Sequence, residues 1–289
     1  VLRSGMKLPH GKDSIPDKMF ISLRGKRILT KSEMMVYEML AHHDWTRPLY
    51  MSTTLGGDNQ AGLDNYLMLE GLAARVTPFK LGDSGVDTER MYDNFMKKFR
   101  YGHIADPKVY VDQTVMRTCY THRMRFAQLA QQLIKEGKRD KALKALEKCE
   151  QVLPQRQVPY EVWSLGIDSK TGLLMMPECY RELGKTKEAE RILKAVADRS
   201  LAYFDWYNSF SESRLSSMSG DIMQQYQILG MAIDGLQKCK SPLAGVYIKR
   251  VDQLQRTTAG HVLISAMNAR RAAAAAPGNG GEDEGDGDL

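Results

Sequence analysis

The sequence predicts an α+β chain that is mostly helical, in which a small α/β module at the N-terminus is followed by a helical repeat module. Short β-rich runs bounded by turn-forming residues lie in the first third of the chain. The second half has apolar residues at the spacing of amphipathic helices. We place the α/β module at residues 6–107, the helical module at 108–271, and a disordered alanine run with an acidic tail at 272–289.

The β-rich signal is clearest between residues 45 and 80. We predict a buried strand over 49–55, a loop at Gly56–Asn59, a short helical run over 63–69 and a second strand over 75–79. A glycine-rich loop between a strand and a helix can hold a phosphate with its backbone N–H groups. Neither of the usual phosphate-loop patterns is present. A tight turn is therefore the favoured interpretation, and a ligand at this loop is left open.

Upstream of this stretch, the runs 19–23 and 27–29 predict a β-hairpin. Ser32 is then a candidate N-cap for a helix. The inner face of that helix is predicted to carry Met35, Val36, Met39 and Leu40. The pair His42-His43 that follows suggests a metal site, but adjacent helical residues point about 100° apart, so a structural role is favoured.

Downstream, a further helix and two helical hairpins are predicted. Asp87 or Thr88 caps the first helix. In each hairpin a glycine separates two helices with small residues on their inner faces, a spacing that resembles a tetratricopeptide (TPR) repeat. The first hairpin has Phe126, Leu129, Ala130, Leu133, Gly137, Ala142, Leu146 and Cys149 at these positions. The matching residues of the second are Tyr180, Gly184, Ala189, Leu193 and Val196.

Composition and charge exclude few classes of protein. The formal charge is +6, and the tail after Pro277 has five acids and no base, so the chain before it carries +11. Such a charge can favour phosphates or anionic lipid headgroups, although a solvated basic surface is the simpler interpretation. The four cysteines form no CxxC motif and are expected to be buried thiols. No stretch has the roughly 18 apolar residues that would span a bilayer, and residues 1–18 lack the apolar core that is expected of a signal peptide.

Three motifs in order resemble a known family. They are Trp45–Tyr50 (WTRPLY), Leu69–Pro78 (LEGLAARVTP) and Asp87–Phe95 (DTERMYDNF). They are similar to the C-terminal soluble region of large Bacteroidetes membrane proteins related to protein O-mannosyltransferases. In that family a multi-span membrane part of glycosyltransferase C type comes first, and an extracytoplasmic region with TPR-like helices follows.

The resemblance implies a non-catalytic accessory or scaffolding domain on the periplasmic face of the bacterial inner membrane. Its partners would be the upstream membrane domain of the same polypeptide and an acceptor protein or glycan. The family's catalytic acids lie in the membrane part, so we assign no catalytic residue, no metal and no cofactor. If the chain is extracytoplasmic, we expect the exporting segment upstream of Val1.

Candidate binding residues are polar or aromatic positions within or beside these motifs. They are Arg47, Asn59, Tyr66, Glu70 and Arg90. A structural role is open for each; for example, Arg47 and Glu70 can pair across the fold.

Three other functions are considered. A free-standing TPR-type peptide-binding adaptor in the cytoplasm is the alternative, although it does not need the α/β module. A nucleic-acid binder is not favoured, because the basic residues are scattered and form no known motif. An independent enzyme would need two of the carboxylates Asp58, Glu70 and Asp87 to converge in one pocket.

Overall fold

A computed structural model describes most of the chain. The described residues are 6, 15–24, 26–53, 55, 60–81, 85–160 and 169–275. Helices account for 62% of the structure, and a small three-stranded sheet near the N-terminus precedes the helical module, which confirms the predicted fold class. The chain forms two compact units, Val1–Lys185 and Thr186–Leu289.

In its described residues, the first unit contains the sheet and five α-helices. Its helices are α1 (Lys31–Ala41), α2 (Thr88–Asp93), α3 (Gln113–Lys135), α4 (Arg139–Val152) and α5 (Ser169–Glu182). Its strands are β1 (Tyr50–Ser52), β2 (Leu67–Leu69) and β3 (Ala73–Val76). A 3₁₀ turn, Asp64–Tyr66, precedes β2, and a π-helical turn, Asn94–Lys98, continues α2.

The sheet is antiparallel with the strand order β1-β3-β2. Arg75 on the central strand lies between Tyr50 on β1 and Met68 on β2. Because side chains alternate across a strand, the neighbouring triplet Met51, Ala74 and Leu69 belongs to the opposite face. The sheet thus presents two faces, and each positions a different group of polar residues.

Two predictions for the first unit are wrong. The described part of residues 19–29 contains no strand, so the predicted hairpin is absent there. Phe20 and Ile28 are exposed, so β propensity in this stretch is not supported by packing, and strand formation depends on such packing. The predicted helical run over 63–69 is a single 3₁₀ turn, after which the chain enters β2 because Leu67–Leu69 pairs with β3.

Helix α1 begins two residues earlier than the proposed cap implies. Thr30, not Ser32, is the N-cap, and it forms a capping box with Glu33. The predicted inner face is only partly correct: Leu40 is buried and Val36 packs against the core, whereas Met35 and Met39 are exposed.

The inner face of the first helical hairpin matches the prediction. Phe126, Leu129, Ala130 and Leu133 of α3 are buried, as are Ala142, Leu146 and Cys149 of α4. Gly137 and Gly184 adopt φ values of +75° and +77°, a left-handed conformation that favours glycine at the end of a helix. The TPR-like character of these hairpins and the boundary near residue 107 stay predictions.

The second unit is entirely helical in its described part. Its helices are α6 (Thr186–Tyr207), α7 (Glu212–Ser217), α8 (Ser219–Lys238), α9 (Leu243–Leu254) and α10 (Thr258–Ala275). Helices α6 and α8 pack closely, and Gly235 lies against Leu193. The alanine run, for which we predicted disorder, is helical as far as Ala275, because alanine has the highest helix propensity.

Candidate functional site

The structure brings together two of the five residues that the sequence singles out. Glu70 and Arg90 are in contact. Tyr66 is buried in the core, where its hydroxyl donates to the carbonyl of Phe20 at 2.5 Å. Arg47 is exposed and does not pair with Glu70. Among the described residues, the arginines that contact Glu70 are Arg75 and Arg90. Asn59, like the whole Gly56–Asn59 loop, lies outside the described residues.

Glu70 is the centre of a charged cluster on one face of the sheet. Its side chain is only 4% exposed. Oε1 lies 3.5 Å from Nη1 of Arg75, whose side chain is fully buried. Oε2 accepts a hydrogen bond from the Tyr50 hydroxyl at 2.6 Å and another from Nη1 of Arg90 at 3.3 Å. Burial and the bond to Glu70 raise the pKa of Tyr50, which keeps the phenol protonated.

Backbone contacts fix the cluster in place. The side-chain amide of Asn94 donates to the backbone carbonyl of Glu70 at 2.7 Å. The next residue, Gly71, has a φ of +150°, and a Cβ there would lie 3.1 Å from the ring of Phe99. The turn between β2 and β3 is therefore anchored to the π-helical turn after α2, and glycine is required at this position.

The cluster has the geometry of a structural ion-pair network. Asp87 caps α2 by accepting from the backbone N–H of Arg90, and its Oδ2 lies 4.0 Å from Nε of that arginine. Glu70 and Asp87 thus approach one guanidinium, with Arg75 as a further cation beside Glu70. Ion pairs of this kind hold neighbouring secondary-structure elements together. Asp58, the third carboxylate of the enzyme hypothesis, lies outside the described residues.

A cleft on the other face of the sheet is the better candidate for ligand binding. It lies between the sheet and helix α3 and has a volume of about 380 Å³, within the roughly 300–1,000 Å³ of ligand pockets. Met51, Leu69 and Ala74 supply apolar surface. The polar residues around it are Ser52, Thr53, Gln60, Asp64, Arg125, Gln128, Gln131, Gln132 and Lys135.

Arg125 is the most unusual residue of this cleft. Its Nη1 donates to the amide oxygen of Gln128 at 2.7 Å. Its Nε is buried and has no hydrogen-bond partner in the described structure. Burial lowers the pKa of Arg125, but arginine stays charged in proteins. A desolvated guanidinium with an unused donor is costly, and it places a positive charge at the wall of the cleft.

Sequence reasoning missed the cleft, although a signal for it was present. Gln128, Gln131, Gln132 and Lys135 follow the i, i+3, i+4, i+7 spacing of one helix face. Such a polar helix face is ordinarily exposed to solvent. The sequence therefore does not predict a binding site there, because only the fold shows that a sheet lies opposite it. The cleft is also lined by Thr53 and Gln60, which flank the predicted Gly56–Asn59 loop in sequence.

Other candidate sites have structural explanations. His43 stacks on Trp45 with ring centroids 4.8 Å apart. No group of three or more histidine, cysteine, aspartate or glutamate residues in the described ranges is arranged to hold a metal. Likewise, none of the helices in the described ranges has the length and apolar character needed to cross a bilayer.

Comparisons with known proteins extend the sequence-based resemblance. A comparison with curated proteins found no match, and a comparison with solved structures found none either. The family model described as TMEM260-associated domain 2 matches residues 1–94, which include all three strands and most of the charged cluster. This match links the N-terminal third of the chain to a TMEM260-like, O-mannosyltransferase-like family of membrane proteins.

Proposed function

We propose that this chain is a non-catalytic accessory region of a membrane glycosyltransferase-like protein, and that its cleft binds the glycan of a substrate or acceptor. The match over residues 1–94 supports the membrane glycosyltransferase context. The polar cleft between the sheet and α3 is the observation that carries the binding function.

The lining of the cleft suits a sugar. Each hydroxyl of a sugar both donates and accepts a hydrogen bond, and a glutamine amide offers both functions as well. Gln131 and Gln132 make no side-chain hydrogen bond within the described chain, so both amides are available to a ligand. The apolar surface of Met51 and Leu69 can contact the C–H face of a sugar ring, as apolar linings do in most small-molecule sites.

The charges of the cleft favour binding over glycoside chemistry. Glycoside hydrolysis commonly uses two carboxylates on either side of the scissile bond. Asp64 is the only carboxylate among the described residues that line the cleft. Arg125 and Lys135 can donate hydrogen bonds to ring or hydroxyl oxygens. Transfer chemistry is therefore assigned to another part of the parent protein.

The helical elements complete the proposed role. Helices α3–α5 would form a TPR-like scaffold that presents the cleft to an acceptor on the extracytoplasmic side of the membrane. The partners would be the membrane part of the same polypeptide and the acceptor glycoprotein. In the parent protein, deletion of this region should lower glycan transfer or complex assembly, and unchanged transfer and assembly would contradict the accessory role.

Titration calorimetry with mannose and mannobiose tests the cleft directly. These probes follow from the O-mannosyltransferase resemblance. We expect the full chain to bind mannobiose, and the double variant Gln131→Ala/Gln132→Ala to bind on the order of tenfold more weakly, because two amides that bond the sugar are removed. Gln151→Ala, which removes an exposed glutamine of α4, is the matched control. Equal affinities for the three proteins, or no binding by the unmodified chain, would reject the cleft as the site.

A further inference from the structure

Exposed apolar side chains are concentrated near the N-terminus. Among the described residues, sixteen large apolar side chains are exposed, and seven of them lie between residues 20 and 39. We name them the N-terminal apolar face: Phe20, Leu23, Ile28, Leu29, Met34, Met35 and Met39. Scattered apolar residues on a surface are ordinary, but a concentration of them indicates an interaction site.

This face is part of the folded structure. Thr30 and Glu33 form the capping box of α1, and the backbone N–H of Thr30 donates to the Glu33 carboxylate at 2.9 Å. Lys26 also pairs with Glu33. These contacts hold the segment before α1 against the start of the helix. Met35 and Met39 are one helical turn apart, so they project from the same side of α1.

The most exposed residues of the face would insert farthest into an apolar medium. Ile28 is 81% exposed and Phe20 is 74% exposed. Phe20 and Leu23 also line a groove of about 560 Å³ whose other walls include Tyr37 and Trp45. Aromatic residues with a polar end are favoured at the boundary between acyl chains and headgroups.

Cations accompany these apolar residues. Arg24, Arg27 and Lys31 are exposed, and none of them forms an ion pair with any described residue. All three are interspersed in sequence with the most exposed apolar positions. Glu33, the acid nearest to Arg27 and Lys31 in sequence, pairs with Lys26. Glu38, an exposed acid of α1, lies 3.3 Å from Nδ1 of His42. The face therefore combines apolar surface with uncompensated positive charge.

We propose that the N-terminal apolar face seats this chain on the surface of a bilayer that contains anionic phospholipid. Apolar side chains enter the boundary of the acyl chains, while the three cations contact phosphate and other anionic headgroups. Lysine and arginine beside exposed apolar residues are typical of interfacial membrane binding. Helix α1 has 11 residues, so it lies along the surface, since spanning needs about 20.

Vesicle flotation with the full chain tests this proposal. We expect the chain to float with vesicles of phosphatidylcholine mixed with phosphatidylglycerol, and to remain unbound with phosphatidylcholine alone. High salt should release it, because the attraction of exposed charges is screened. No binding to the mixed vesicles, or equal binding to both vesicle types, would overturn the proposal.

Two sets of variants separate the contribution of the cations to membrane binding from that of the apolar residues. Arg24→Gln/Arg27→Gln/Lys31→Gln should lower partitioning about a hundredfold, because each cation near an anionic surface contributes about fivefold. The matched control is Lys249→Gln/Arg250→Gln/Arg256→Gln, which removes three exposed cations of the second unit. Equal losses for the two triple variants would show that net charge alone acts and would overturn the proposed orientation.

The apolar contribution has its own control. Phe20→Ser/Ile28→Ser should abolish flotation at moderate salt, whereas Val246→Ser/Ile248→Ser, at exposed positions of α9, should not. Sedimentation of the unmodified chain decides whether a second copy covers the face. The unmodified chain could form concentration-dependent dimers that Phe20→Ser/Ile28→Ser disrupts, and fail to float with vesicles. That result would overturn the membrane proposal and show that a second copy of the chain covers the face. Glycan binding at the cleft is measured separately and does not depend on this result.

Discussion

Replacement of Glu70 by alanine should destabilise the sheet far more than removal of an exposed carboxylate of the first unit does. The carboxylate lies 3.5 Å from the guanidinium of Arg75, which is completely buried, and it accepts a hydrogen bond from Tyr50. Removal of one partner of a buried ion pair costs about 3–5 kcal/mol, because the remaining charge stays desolvated. We expect Glu70→Ala to lie in that range.

Glu89 is the matched control, since it also pairs with two cations but lies at the surface. Its carboxylate contacts Lys138 at 2.6 Å and Lys141 at 2.7 Å, and its side chain is 54% exposed. Exposed ion pairs contribute about 0–1 kcal/mol. Glu89→Ala should therefore cost less than about 1 kcal/mol, although it removes the same functional group and a similar number of contacts.

Amide hydrogen exchange of β2 and β3 measures this difference at the site itself, because it reports the free energy of local opening. A loss of 3 kcal/mol should speed exchange there by roughly a hundredfold in Glu70→Ala, since 1.4 kcal/mol corresponds to a factor of ten. Exchange in Glu89→Ala should change by less than about fivefold.

A second variant at Arg75 distinguishes an unpaired charge from a simple loss of packing. Replacement of a whole buried ion pair by apolar residues of similar volume is often tolerated. Glu70→Leu/Arg75→Met should therefore recover much of the stability that Glu70→Ala loses. Equal exchange rates for Glu70→Ala and Glu89→Ala, or no recovery in the double variant, would refute the reasoning about burial.

Three further predictions concern glycine geometry, thiol reactivity and pH. Gly71→Ala should destabilise the β2–β3 turn by about 1–3 kcal/mol in urea unfolding, because alanine is strained at this φ and meets a phenylalanine ring. Burial raises the pKa of Cys149 and Cys179 to about 12, so mass spectrometry should find Cys239 alkylated first in the native chain. The lysines beside Glu89 lower its pKa from 4.5 to about 2. Its contribution, below about 1 kcal/mol, should be present above pH 4.5 and lost on acidification towards pH 2, and Glu89→Gln should abolish that loss.

The helical half of the fold was predictable because its signals are local. Gly137 and the small inner-face residues around it specify the α3–α4 hairpin within a single segment of sequence. The failed hairpin at 19–29 shows the limit of local reasoning. β propensity reflects packing against neighbours, and four apolar residues of this stretch, Phe20, Leu23, Ile28 and Leu29, are exposed.

The candidate site was less predictable, because it depends on contacts between distant segments. Glu70 and Arg90 were selected separately for their motifs, and nothing in the sequence indicated that Arg75 would be the buried cation between two strands. The polar face of α3 carried a periodic signal at Gln128, Gln131 and Gln132, but only the fold shows that it faces a sheet.

The most direct test of glycan binding at the cleft is an NMR titration of the full chain with mannobiose, observed at the glutamine side-chain amides. We predict that the amide signals of Gln128, Gln131 and Gln132 shift with a common affinity. Gln151 on α4 should be unaffected. Shifts confined to the second unit, or no shift of the three α3 amides at saturating sugar, would contradict the account.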